Sequence, residues 1–346
     1  MCWWDNENDM SSDVITGLIE QVSSIYYKKV LTIWGNVLDV DSDDKINILF
    51  SKNLNESNIA IGFFNPNDLY LRDKNISSNS YNPYSNEGEV LYLGVPENDN
   101  FSFSINSLLA TFVHEFCHLI NFEKKTYSQY LRGNLNPPVM ELFLDEGLAH
   151  LTESLCGLGV SGGNIGFYAK YLSDPAAISL VHSNHLGQSD SAGKRGAVSG
   201  FLSWLFWEKG GLFFNDSNEI VDNGGIAFLV DLVVNQRNSW ESIGATYGID
   251  SNVLFEQWVS DLVKNDPFNG IYDPSTSEPL NLDPWMGSYN ISETISINVA
   301  GVNKNNLSSD NIEILPFSFK PWRVENSGFL LLQDISGDSF VRLSIY

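Results

Sequence analysis

Thr111-Phe112-Val113-His114-Glu115-Phe116-Cys117-His118-Leu119-Ile120-Asn121-Phe122 is the stretch on which the fold and the chemistry turn. Its apolar residues recur at helical spacing, and its two histidines stand at i and i+4. That places both imidazoles one turn apart on the same helix face, where both can reach one zinc ion. Glu115, next to the first histidine, can take a proton from a metal-activated water without itself ligating. The chain holds only 5 His, and two of them fall in this arrangement. A helix can spell this pattern by accident, so a third ligand decides the matter.

Working outward, the spacing predicts a strongly apolar helix over Ser107 to Phe122 and a second from Pro138 to Leu155. Pro138 stands near the start of the second and Gly157 lies beyond its end. Upstream, Asp13 to Trp34 has helical spacing, and Lys45–Phe50, Ala60–Phe64 and Val90–Val95 read as strands. Downstream, glycine-punctuated helices are expected over Gly200–Trp207, Ile226–Asn235 and Val253–Val263. After Asp266-Pro267 the helical pattern stops. Thr294–Val299, Phe317–Lys320, Phe329–Gln333 and Phe340–Ile345 are short strand-like runs. The expected organisation is a polar N-terminal tether over residues 1–12 and a catalytic unit over 13–266. Its sheet-containing half runs to about residue 125 and its helical half to about residue 266. A small β domain follows over residues 267–346.

Composition narrows the partners. Lys+Arg is 19 against Asp+Glu 43, a formal net charge of −24. Nucleic-acid recognition needs clustered basic side chains, so that class is excluded, as is docking on anionic lipid. No apolar run is long enough to span a bilayer, so no integral membrane segment is expected. The 9 Trp, 14 Tyr and 21 Phe demand a buried core, which excludes a solvated coil. Cys2, Cys117 and Cys156 are too few for a disulfide framework. Cys117 falls at neither ligand position and reads as an inert core residue. Cys2, directly after Met1, has the form left when a lipoprotein precursor is trimmed at its lipidated cysteine. The alternative is a chance cysteine near a natural start.

The segment Glu141-Leu142-Phe143-Leu144-Asp145-Glu146-Gly147-Leu148-Ala149-His150-Leu151-Thr152-Glu153 completes the pattern. It resembles the second motif of the gluzincin zinc peptidases, which take a third ligand from a glutamate on the helix after the two histidines. The resemblance implies His114, His118 and Glu146 as zinc ligands, with 27 residues between His118 and Glu146. Gly147 would let the second helix approach the first. Metzincins are excluded because Asn121 and Lys124 stand where their Gly and third His belong. No Gly-x-Met-Glu-Asn loop is present, which favours an endopeptidase over an aminopeptidase. Residues 114–122 and 145–150 are similar to the two motifs of the hyicolysin-like family of secreted bacterial metallopeptidases. Gly62-Phe63-Phe64-Asn65-Pro66-Asn67-Asp68 and Ser85-Asn86-Glu87 extend that similarity.

This resemblance implies an α+β, thermolysin-like catalytic domain with an N-terminal mixed sheet and a helical second half. The expected activity is zinc-dependent endopeptidase hydrolysis of protein or peptide substrates. The expected setting is extracellular or on a bacterial surface, as a monomer. The competing class is a surface adhesin or glycan-binding protein with a degenerate or structural metal site.

Around the ligands the choices stay open. Glu153, seven residues after Glu146, either orients His114 or His118 or is a solvated helix carboxylate. His150 stands where thermolysin-like relatives have an aspartate, and either lines the cleft or packs against the neighbouring helix. The oxyanion donor that the resemblance implies falls among Tyr168, Tyr171, His182, His185 and Arg195, and spacing does not choose between them. Asp39-Val40-Asp41-Ser42-Asp43 resembles the start of a calcium loop. Asp44 and Phe50 replace the Gly and Glu such a loop needs, so a turn capping a strand is the better reading.

Overall fold

The computed structural model describes residues 2–4, 12–57, 60–95, 103–181, 191–215, 220–264, 305–306, 317–319 and 322–323. Within these the fold is mixed α+β, mostly helical with a small sheet. Strand β1 (Cys2–Trp4) is followed by α1 (Ser12–Gln21) and α2 (Tyr27–Trp34), which run together through a π turn at Val22–Tyr26. Then come β2 (Asn47–Phe50), α3 (Lys52–Ser57), β3 (Gly62–Phe64) and β4 (Val90–Leu93). The sheet order is β1-β2-β4-β3, with β1, β2 and β4 parallel and β3 antiparallel at the edge. Alternation along β2 buries Ile48 and Phe50 and leaves Asn47 and Leu49 half-buried, as a strand with one face on the core requires.

Within the stretch expected to be a tether, Cys2–Trp4 pair with Ile48–Phe50 of β2. A short strand beside an edge satisfies backbone groups that a free segment would leave to water.

Helix α4 (Ile105–Phe122) runs through the middle of the molecule. Ser104 caps it, its hydroxyl accepting from Ser107 N at 3.0 Å. The helix is buried nearly all round, against β3 and β4 on one side and α2 on another. Edge strand β3 comes close because Gly62 has no side chain; a Cβ there would stand 2.7 Å from Thr111 Cγ2. A π turn, Glu123–Tyr127, extends α4 into α5 (Ser128–Leu131).

The second motif helix is α6 (Leu142–Leu155), shorter than the stretch read from Pro138. Residues 138–141 are held extended instead. Thr126 Oγ1 donates to Pro138 O, Asn238 Nδ2 donates to Val139 O, and Glu141 N donates to Asn238 O. Trp34 Nε1 donates to Thr152 Oγ1 at 3.0 Å, tying α2 to α6.

The helical half continues with α7 (Asn164–Ser173), α8 (Ala192–Glu208), the hairpin β5 (Leu212–Phe214) and β6 (Ile220–Asp222), α9 (Gly225–Val234), α10 (Trp240–Tyr247) and α11 (Ser251–Lys264). α8 is wedged between α6 and α7 by missing side chains. A Cβ on Gly147 would overlap Val198 of α8, and one on Gly196 would overlap the Phe167 carbonyl of α7. Gly147 thus admits α8, not α4 as the sequence reading had it. Periodicity shows that a glycine opens a face, and only the packing shows to whom.

Among the described residues, no helix is long and apolar enough to cross a membrane. Of the stretch expected to form a β domain, β7 (Asn305–Asn306) pairs with β8 (Trp322–Arg323). The expected strands Thr294–Val299, Phe329–Gln333 and Phe340–Ile345, and Lys320 at the end of a fourth, lie outside the described residues. Phe317 and Phe319 pack into the helical half, edge-on to Trp240 and Tyr171 respectively. Phe317 O accepts from Leu180 N at 2.9 Å.

Candidate metal centre

Helices α4 and α6 face each other and bring His114, His118 and Glu146 together. One ligand atom from each lies within 4.8 Å of the others. Glu146 Oε2 is 3.4 Å from His114 Nε2, and Glu146 Oε1 is 3.7 Å from His118 Nε2. A tetrahedral ion with bonds of about 2.0–2.2 Å spaces its donors about 3.3–3.6 Å apart, so each Glu146 oxygen stands close to ligand spacing from one imidazole nitrogen. Glu146 Oε2 is buried without a well-formed hydrogen bond, with His114 Nε2 and Arg195 Nη1 in ion-pair range of it. Two imidazoles and a carboxylate thus suit a divalent transition metal with an open position.

Each imidazole has a carboxylate behind it. His114 Nδ1 is 2.6 Å from Glu153 Oε1, and His118 Nδ1 is 2.9 Å from Asp145 Oδ2. The Glu153 carboxylate at Nδ1 of His114 can hold the proton on that nitrogen and leave the Nε2 lone pair for a metal, while Asp145 stands in ion-pair range of His118 Nδ1. Glu153 is buried against His114 and does not face solvent. Asn121 Nδ2 donates to the other oxygen of Asp145 at 2.8 Å, fixing that carboxylate in turn.

The acids and imidazoles also shift one another's protonation, so that a metal taking the imidazole nitrogens would displace protons. Burial acts to raise the Glu146 carboxyl, but His114, His118 and Arg195 hold it well below the usual carboxylate range. Burial acts likewise on Glu153, yet His150 and His114 bring it down to about 2. Burial pulls the His114 imidazole down, while Glu146 and Glu153 overcome it and hold it well above its ordinary value. His118 is raised in the same way, burial opposing and Asp145 prevailing.

Glu115 sits between the two histidines in sequence and is buried. It contributes to the electrostatics of both imidazoles while lying outside the ligand triad. Cys117 points elsewhere, its sulfur in contact with Asn121 Nδ2 at 3.5 Å and Thr152 Oγ1 at 3.3 Å in the α4–α6 core.

Of the remaining candidates, His150 and Arg195 join the centre. His150 is buried, with Nδ1 3.1 Å from Glu153 Oε1 and its ring edge-on to His114. Its Nε2 is 3.2 Å from Arg195 Nη1, and the same Nη1 is 3.6 Å from Glu146 Oε2. Burial lowers the His150 imidazole despite Glu153. Tyr171 is fully buried and stacked on Trp258. Tyr168 packs its ring against Gly200 of α8. His182 and His185 lie outside the described residues.

Asp145, Asn121 and Gly162 were not picked out as site residues from sequence. Asp145 carried a signal, being acidic and adjacent to a ligand, but which imidazole it meets depends on how α4 and α6 cross. Gly162 matters because a Cβ there would overlap Glu153 Oε2. No protein-family model matches the chain, and no curated protein matches it.

Proposed function

We propose that the chain is a zinc-dependent endopeptidase of gluzincin-like fold, similar in its motifs to the hyicolysin-like family. The observation that carries the reading is the convergence of His114, His118 and Glu146, each imidazole backed by its own carboxylate, with Glu115 beside them. A structural zinc would take four protein ligands, whereas three leave a position open for chemistry. When bound, the ion supplies Lewis acidity toward a carbonyl oxygen.

The chain's own residues would do the rest. Glu115 accepts a proton from the attacking water as its oxygen bonds to the scissile carbonyl carbon and the carbonyl π pair moves onto oxygen. As the C–N bond breaks and the carbonyl re-forms, Glu115 returns that proton to the leaving nitrogen. Glu153 and Asp145 keep the Nδ1 protons of His114 and His118 in place throughout. The proposed substrates are proteins or peptides, and the proposed setting is outside a bacterial cell.

The test is metal analysis of the purified chain, paired with cleavage of casein and of a broad peptide library with and without chelator. One zinc per chain and chelator-sensitive cleavage are expected. Stoichiometric zinc without cleavage of any substrate contradicts the peptidase reading and favours a binding protein with a structural site.

A further inference from the structure

A reaction of this kind places negative charge on the carbonyl oxygen, and a second positive group at the metal face would stabilise it. Among the described residues, Arg195 is the one Lys or Arg side chain in ion-pair range of the ligand triad, 3.6 Å from Glu146 Oε2. The packing fixes it there. It lies in the first turn of α8, capped by Ser191, and Gly196 beside it lets that turn press on the α7 backbone. Gly147 lets the next turn press on α6.

His150 supplies a second constraint. A guanidinium has no acceptor and keeps its protons, so in the 3.2 Å contact Arg195 donates and His150 Nε2 accepts. The His150 proton must then sit on Nδ1, which faces Glu153 Oε1 at 3.1 Å. Arg195, His150, Glu153 and His114 therefore form one chain of contacts reaching the metal ligand. The Arg195 side chain is 29% exposed while those of His150 and Glu153 are 3% and that of His114 is 9%, so the Arg195 end is the most open to solvent.

We infer that Arg195 is the anion-stabilising residue of the centre, its guanidinium contacting the scissile carbonyl oxygen as that oxygen becomes negative. His150 is the positioning residue that holds it. The inference rests on the peptidase reading above. Because a guanidinium keeps its proton throughout the working range, this residue contributes charge and leaves all proton transfer to Glu115.

The experiment uses the full zinc-loaded chain with Arg195→Ala and Arg195→Lys. The readouts are zinc content, kcat and KM on the best peptide from the library, and calorimetric affinity for a phosphinic analogue of that peptide. Arg195→Ala should keep one zinc per chain and lower kcat by ~10²–10³, the usual loss for one oxyanion donor, with KM nearly unchanged. Affinity for the phosphinic analogue should fall in step with kcat. Added guanidinium chloride should restore part of the rate, and Arg195→Lys should retain more than Arg195→Ala. Unchanged kcat, or unchanged affinity for the analogue, overturns the inference. So does a rate that falls only as zinc is lost, because Arg195 would then merely support Glu146. A wild-type chain with neither zinc nor cleavage overturns the peptidase reading as well; an active wild type with an equally active Arg195→Ala overturns this inference alone.

Discussion

The molecule carries two clusters of acidic side chains, and they are built in opposite ways. At the candidate metal centre Glu153 is buried and Glu146 half-buried among imidazoles and a guanidinium, and both are held below the usual carboxylate range. In the loop before β2, the carboxylates of Asp39, Asp41 and Asp43 also come within 4.8 Å of one another. There the oxygens accept from the backbone of their own turn. Asp39 takes Asp43 N at 3.0 Å and Asp44 N at 3.1 Å, and Asp43 takes Lys45 N at 2.8 Å. Glu89, buried beneath this loop, is pushed up to about 7 by burial and by Asp41 and Asp39, although Val40 N donates to it. Proximity of carboxylates is common to both clusters. What sets the first apart is that its acids face nitrogen atoms, with the two Glu146 oxygens turned one toward each imidazole Nε2.

The sharpest way to break this contrast is at Glu115. Glu115→Gln should keep its zinc, because the ligand triad is untouched, and should lose ~10²–10⁴ in hydrolysis rate. Changing Asp39, Asp41 and Asp43 together to Asn should leave the rate within about twofold. If the triple variant loses as much rate as the single one, the loop belongs to the active centre.

A second test reaches the centre without touching a polar group. In Gly162→Ala the new methyl would overlap Glu153 Oε2 and push that carboxylate off His114. Zinc affinity should fall ~10–100-fold, the usual cost of losing a partner behind a metal-ligating histidine. Gly17→Ala, in α1 where a Cβ meets nothing within 4 Å, is the control and should stabilise the fold by up to ~1 kcal/mol. Competitive titration with a chelating dye checks the first, and thermal unfolding the second.

The smallest effect separates the clusters by pH. The Glu89 carboxyl in the folded chain sits near 7, above its ordinary 4.5, so the folded state binds the proton more tightly than the unfolded one. Its contribution to stability is fully present below about pH 4.5 and is lost as pH rises through 7. Glu89→Gln, which keeps a neutral side chain at every pH, should flatten the midpoint of thermal unfolding between pH 5 and pH 7.5. An unchanged slope in that variant would show that Glu89 is ionised across the window.

These contrasts also mark what the sequence could carry. The i,i+4 spacing of the two histidines was legible because one helix fixes their relative positions, whereas Glu146 rested on the resemblance of its motif and Glu153 stayed open between two readings. Strands β2, β3 and β4 were legible because alternation and Gly or Pro boundaries are local. Helices α7 and α10 were missed because glycines interrupt their apolar faces, and the β5–β6 hairpin because each strand is three residues long. The start of α6 was misread because bonds from Thr126, Glu141 and Asn238 hold residues 138–141 extended, and no local signal reports those partners. The Asp145–His118 contact, the Gly147–α8 contact and the reach of Arg195 to Glu146 all depend on how helices cross.

The central claim is that zinc belongs to the α4–α6 centre, with Glu146 as its third ligand. The direct measurement is zinc per chain, after dialysis against a zinc buffer, in the wild type, Glu146→Ala and Asp41→Ala. One zinc in the wild type and in Asp41→Ala, with almost none in Glu146→Ala, is the predicted result, since two imidazoles alone compete poorly with buffer. Full zinc in Glu146→Ala, or its loss in Asp41→Ala, would contradict the account.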